Sequence, residues 1–408
     1  MLATPRGTQA LSGKAQGEIQ IIENAAIAVE DGKITYVGTA SGAPANAETV
    51  IDAGGRLVTP GLVDAHTHLV FGGFRQHEFE QKLAGVAYLD ILRGGGGILS
   101  TVRATRAETE DELYVKAAAF ADEMLCHGTT TVEVKSGYGL DLETELKQLR
   151  VARRLAEQHD IDVVATYLGA HAFPDEYKDN REAYVELIIN EVLPQVAELG
   201  LAEFADVFAE TAVFDIDQAR RILTAAKRLG MRPKIHADEI NSIGGAQLAA
   251  ELGAISADHL LQASDEGLDA LAESGTIAVC LPATSFYLDK DYARARLMVE
   301  KGIPVAIATD FNPGSSPSYN MQFALNLACL KLRLSPSEAL CAATLNSAAA
   351  IGRAESKGSI EVGKDADIVI WDAPDLNFIF YRYGNNQVYS VIKNGKLLQC
   401  SRQCRGDY

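Results

Sequence analysis

Short apolar runs recur along the middle of the chain, at residues 62–65, 130–134, 163–167, 205–208, 234–235, 255–257, 276–280 and 305–308. Between most of them lie stretches whose apolar residues repeat with helical spacing, at 108–126, 142–157, 216–229 and 244–252. Eight strand-like runs separated mainly by amphipathic helices predict an α/β fold, a (β/α)8 TIM-like barrel over about residues 58–354. The two ends read differently. Residues 19–29 and 33–37 flank Asp31-Gly32, and residues 388–398 carry a turn at Asn394-Gly395. Asp-Gly and Asn-Gly between extended runs are hairpin signals. With further strand-like runs at 358–362 and 366–371, both ends, 1–57 and 355–408, are expected to build one smaller β-sandwich domain together.

Composition narrows the function. The chain has 408 residues, 47 % of them hydrophobic, and a formal charge of -18. Such a field repels phosphate backbones and anionic membranes, so no nucleic-acid or membrane partner is expected. An anionic substrate would then need local positive charge in its site. No CxxC pair occurs, and Cys126, Cys280, Cys329 and Cys341 sit in apolar segments. Cys400 and Cys404 lie in a polar tail and read as a stray exposed pair. Neither a leader-like apolar segment nor a run of about 18 apolar residues stands out, so a cytoplasmic protein is expected. Gly94 to Gly97 lack the Lys-Ser/Thr of a phosphate loop, and read as a loop leading into a helix.

Barrel enzymes place reactive groups where strands end and loops begin. The first run ends in Asp64-Ala65-His66-Thr67-His68, the third at His171, the fifth at His236, the sixth at His259 and the eighth at Asp310. One histidine in such a place is usually a satisfied core residue. Five of eight histidines at matching ends point instead to a metal site. His66, His68, His236 and Asp310 are assigned as ligands of one divalent metal, zinc or iron, with a position left for water whose pKa such a site lowers to roughly 7. Glu239, three residues past His236, is placed to move a proton between that water and a leaving nitrogen. His259 could be a fifth ligand, a partner of the water or a structural group. The second is preferred, because three histidines and Asp310 already fill a mononuclear site. Glu210, near the end of the fourth run, reads as a loop tie.

At this point the motifs resemble a family. TPGLVDAHTHLVF resembles the first-strand signature of the amidohydrolase superfamily, and HADE followed by TDFNPG resembles its mononuclear, deaminase-like branch. HTHLVFGGFRQHEFE, GGGGILSTVRATR, EVKSGYGLD, TYLGAHAFPDEY, KIHADEI and ATDFNPGSSP are similar, in order, to the imidazolonepropionase family. The resemblance implies hydrolysis of the ring amide of 4-imidazolone-5-propanoate to N-formimidoyl-L-glutamate, a step of histidine degradation. It also implies roles for individual residues. Arg75 would hold the propionate with Tyr88 nearby, and Tyr138 and His171 would complete the pocket. Glu239 would contact the ring, and Asn312, Gly314 and Ser315 would line the product side. Relatives begin with a further strand ahead of the point where Met1 stands, so the small domain is expected to lack an edge strand.

A guanidinium is the natural fork for a carboxylate, so Arg75 answers the charge puzzle. The alternative is a related mononuclear amidohydrolase that deaminates a nucleobase-like ring, which gives Arg75 no partner. A barrel that has lost catalysis would be expected to lack ligands, and here the set is complete. A homodimer is expected by analogy with related barrels.

Overall fold

A computed structural model of the chain describes residues 1–86 and 95–398. Eight parallel strands run in chain order around one sheet. They are β1 (Leu62–Asp64), β2 (Thr129–Lys135), β3 (Asp162–Ala170), β4 (Phe204–Ala209), β5 (Arg232–Ala237), β6 (Ser256–His259), β7 (Ile277–Cys280) and β8 (Val305–Ile307). Each of the eight apolar runs falls on one of them. The seam between first and last strand is closed just past their ends, where Thr67 bridges Phe311 in parallel. There the His68 amide donates to the Phe311 carbonyl at 2.9 Å and the Asp310 amide to the His66 carbonyl at 3.0 Å. Below, Asp64 accepts from the Thr309 amide at 3.0 Å and its hydroxyl at 2.6 Å. The seam thus sets the first and last candidate ligands side by side.

Helices form where the spacing predicts, and their first turns show why. Glu110–Cys126 begins in a reciprocal capping box between Thr109 and Glu112, and Ile216–Arg228 in another between Asp215 and Gln218. Each box satisfies amide groups that a helix start leaves open. The loop after Gly97 does lead into a helix, Ile98–Ala107.

The two chain ends meet in a six-stranded sheet. Its order is Lys396–Leu398, Val388–Lys393, Ile368–Trp371, Val58–Pro60, Leu2–Thr4 and Gln20–Ile22. A separate hairpin, Ala25–Glu30 with Lys33–Thr39, lies over it. Ile34 of the hairpin shares a buried cluster with Leu2, Ile368, Ile370 and Ile392 of the sheet. Sequence pattern missed two details. The run 19–29 is two strands, broken at Asn24, whose φ is 48°. Residues 358–362 form no strand: Gly358 has φ of 79°, and a Cβ there would stand 2.7 Å from the Thr344 carbonyl. Close packing against the barrel, rather than a ladder, fixes that segment. Among the described residues no helix is long and apolar enough to cross a membrane.

Candidate active site

Residues two apart on a strand face the same way, and the barrel uses this to stack ionisable groups toward its upper mouth. Glu133 and Lys135 alternate with Val132 and Val134 on β2, and Lys234 and His236 flank Ile235 on β5. Asp206 rises from β4 and Asp258 with His259 from β6. All are at most 2 % exposed. None of these carboxylates and lysines was singled out from the sequence, although charges inside otherwise apolar strand runs were a usable signal.

Above this layer, His66, His68 and His236 each offer a ring nitrogen within 4.8 Å of the others. Asp310 Oδ1 lies 3.5 Å from His66 Nε2 and 3.4 Å from His68 Nε2. Thr284 donates to the other carboxylate oxygen at 2.6 Å and fixes its orientation. Behind the rings, Asp258 Oδ2 meets His66 Nδ1 at 2.6 Å. Asp206 Oδ2 lies 2.9 Å from His236 Nδ1, off the axis of a hydrogen bond. The Nε2 atoms of His66 and His236 are buried without a hydrogen-bond partner among the described residues. Burial first, then the charge of Lys135, holds the His68 imidazole down at about 3. His66 is held well below the usual imidazole range by burial and then Lys135, and His236 likewise by burial, His259 and Lys135. Neutral rings with unspent Nε2 atoms, converging on a carboxylate oxygen, fit a divalent metal.

The remaining predicted residues gather around a cleft of about 360 Å³ over this cluster. His171 stacks on His68, with ring centroids 4.9 Å apart, and Tyr138 lies 5.4 Å from His171. Glu239 Oε2 is 3.7 Å from His259 Nε2. Burial raises the Glu239 carboxyl to about 8, with the charges of Asp310 and Glu210 adding to the effect. Its loop is held from both sides. Asp238 accepts from the amides of Ile243, Gly244, Gly245 and Ala246, and Glu210 accepts from Ile240 and Asn241. Glu210 is therefore a loop tie. Arg75, Ser315 and Asn312 form the opposite wall, with Ile98 and Phe208 as apolar lining. Asn312 spends its amide on its own loop, donating to Asp310 O and accepting from Gly314 N and Ser315 N. Gly314 lies directly against Arg75: a Cβ there would be 1.1 Å from Nη2. Arg75 Nε is buried without a hydrogen-bond partner among the described residues. Tyr88, Cys400 and Cys404 lie outside the described residues.

Known proteins with this arrangement are close. The amidohydrolase family pattern matches residues 57–398. The imidazolonepropionase of Brevibacillus brevis is 52 % identical over 392 residues, covering 95 % of this chain and 92 % of its own. That of Treponema denticola is 54 % identical over 377 residues, 91 % of each. Among solved structures, guanine deaminase of E. coli superposes with a TM-score of 0.73 at 18 % identity, over 98 % of this chain and 97 % of that one. This last likeness shows the barrel and its companion sheet, and nothing of the substrate. The chain belongs to the amidohydrolase family, and within it to the imidazolonepropionases.

Proposed function

We propose that the protein hydrolyses the ring amide of 4-imidazolone-5-propanoate to N-formimidoyl-L-glutamate. The observation that carries this reading is Arg75. Among the described residues no carboxylate pairs with it, yet its guanidinium borders the cleft that holds the histidine cluster. A propionate supplies the missing anion, and a neutral base would not. The fork geometry of a guanidinium fixes a carboxylate at two points and so orients the ring attached to it.

His66, His68, His236 and Asp310 would hold one divalent metal, zinc or iron, which when bound polarises the ring carbonyl and acidifies water. The other steps belong to side chains. A water oxygen bonds to the carbonyl carbon, and its proton passes to the Glu239 carboxylate. As the C–N bond breaks, the same proton is delivered to the leaving ring nitrogen. Burial raises this carboxyl from the usual range toward neutral pH, which brings both accepting and releasing the proton within its reach. His259, at 3.7 Å from Glu239, steadies the carboxylate and the attacking water. Tyr138 and His171 wall the ring, while Gly314 and Ser315 shape the floor beside Arg75. Tyr88 is assigned to the propionate end with Arg75.

The test uses substrate generated from urocanate by urocanase. Loss of the imidazolone absorbance, appearance of formimidoyl-glutamate and about one metal per chain are expected. A metal-loaded protein that leaves the imidazolone untouched would overturn the substrate.

A further inference from the structure

Beneath the histidines, one of two buried lysines bridges both aspartates. Lys135 is fully buried, and its Nζ lies 2.8 Å from Asp206 Oδ2, 3.0 Å from Glu133 Oε2 and 3.4 Å from Asp258 Oδ2. The two aspartate oxygens it touches are the same atoms that face the ligand histidines. Asp258 Oδ2 meets His66 Nδ1 and Asp206 Oδ2 faces His236 Nδ1. Their second oxygens are tied elsewhere, Asp206 Oδ1 to the His236 amide at 3.1 Å and Asp258 Oδ1 to the Ser256 hydroxyl at 2.7 Å. Each aspartate is thus fixed by one neutral donor and shares its other oxygen between an imidazole and a single ammonium.

We infer that Lys135 is a positioning residue that sets two metal-ligand histidines, His66 and His236, at once through Asp258 and Asp206. The inference rests on those histidines being ligands, as proposed above. The geometry shows what the ammonium does. Two carboxylates a few ångströms apart in a dry barrel repel each other and would draw protons or swing apart. A shared ammonium offsets that repulsion and keeps both carboxylates in place, Asp258 hydrogen-bonded to His66 Nδ1 and Asp206 beside His236 Nδ1, behind the rings whose Nε2 atoms face the site. Lys234 provides an internal comparison. It is equally buried and pairs with Glu133 at 2.8 Å, but its other close contacts are backbone carbonyls of Ala65 and Ala350.

The experiment measures zinc affinity of the metal-stripped protein by competition with a chromophoric chelator, with circular dichroism and melting as checks of fold. Both Lys135→Met and Lys234→Met should lower the melting temperature, since each strands a buried carboxylate. Only Lys135→Met should weaken zinc binding, by about 10- to 100-fold, with Lys234→Met within about 3-fold of the parent. Equal affinity losses in the two variants, or none in Lys135→Met, would overturn the inference. If Lys135→Met does not fold, Asp206→Asn, Asp258→Asn and the double variant replace it. Because one ammonium couples the two aspartates, the double variant's loss should depart from the product of the single losses, and a simple product would refute the coupling. A parent protein that binds no zinc or iron would instead sink the metal-site reading.

Discussion

Gly314 offers a test of the substrate clamp that deletes no charged group. Its φ lies outside the left-handed region, so alanine is tolerated by the backbone. Such a loop replacement ordinarily stabilises by about 0.4–1 kcal/mol through the unfolded chain. The obstacle is the guanidinium: the new methyl carbon would stand 1.1 Å from Arg75 Nη2 and 1.9 Å from Cζ. No bond rotation within the present pose relieves an overlap of that size, so Arg75 must leave its position. Hydrogen bonds to charged groups contribute about 1.5–3 kcal/mol each. Losing a two-pronged grip, with part of the charge attraction kept by the displaced side chain, should cost about 2–4 kcal/mol. That is roughly 30- to 1000-fold in kcat/KM.

The loss should fall mainly on KM, because a propionate far from the breaking bond is held alike in ground and transition states. Steady-state kinetics of Gly314→Ala, Arg75→Ala and the double variant separate the possibilities. If the glycine acts by making room for the guanidinium, the double variant is no worse than Arg75→Ala alone. A Gly314→Ala enzyme with parental KM and an unchanged melting temperature would refute the reasoning. So would additive losses in the double variant.

Other expectations are narrower. Glu239→Gln should keep KM within a few-fold and lower kcat by about 100-fold or more, and near-parental turnover would remove Glu239 from the proton relay. The same substitution has a stability signature in the metal-free protein. With Glu239 raised from 4.5 to about 8, its contribution is complete below pH 4.5 and is lost as pH rises through 8. The loss runs at roughly 1.4 kcal/mol for each pH step of one between those values. Denaturant melts should therefore show Glu239→Gln gaining on the parent across that window and levelling off above; a pH-independent difference would mean that Glu239 is not buried as an acid. Chelation should abolish turnover and lower the melting temperature, with both restored by zinc or iron; activity that survives complete stripping would exclude the metal role. Asp238→Ala opens four backbone amides at the start of Gly245–Leu252, and should cost about 2 kcal/mol or more, read by urea melts.

How much of this was legible in the chain depends on the kind of constraint. Strand-end histidines could be read because a β/α repeat makes position along the chain equivalent to height in the barrel. His66, His68, His171, His236 and His259 needed only that equivalence. The hairpin turn at Asp31-Gly32 could be read because its signal is local. Asn24 could not, since the break at that point follows from which strands pair across the sheet, a contact between distant residues. The same is true of the buried charges. Lys135 alone reads as a strand-end cation, and its meaning lies in Asp206 and Asp258, which arrive from strands 71 and 123 residues further along. Gly314 was assigned to the pocket by likeness, but its reason, the guanidinium pressed against it, appears only in three dimensions.

Backbone strain at the mouth points the same way. Asp238, His259 and Asp310 all have positive φ, at 49°, 75° and 54°, where a side chain costs about a kcal/mol or more relative to glycine. Glycine would relieve each of them and remove the functional group. At His259 and Asp310 the strain accompanies side chains that line the cleft, and at Asp238 a carboxylate that ties the Glu239 loop. That cost is carried by the surrounding ties. Asp238 is held by four amides, and Asp310 by Thr284 and by the seam hydrogen bond to His66. Removing a tie should therefore disturb the site before it disturbs the fold. Thr284→Val tests this, because it removes the hydroxyl but little volume. It frees one oxygen of Asp310 and should weaken metal binding by about 10-fold while moving the melting temperature of the metal-free protein by only a few degrees. If affinity holds and the fold loosens instead, the strain is structural and not part of the site.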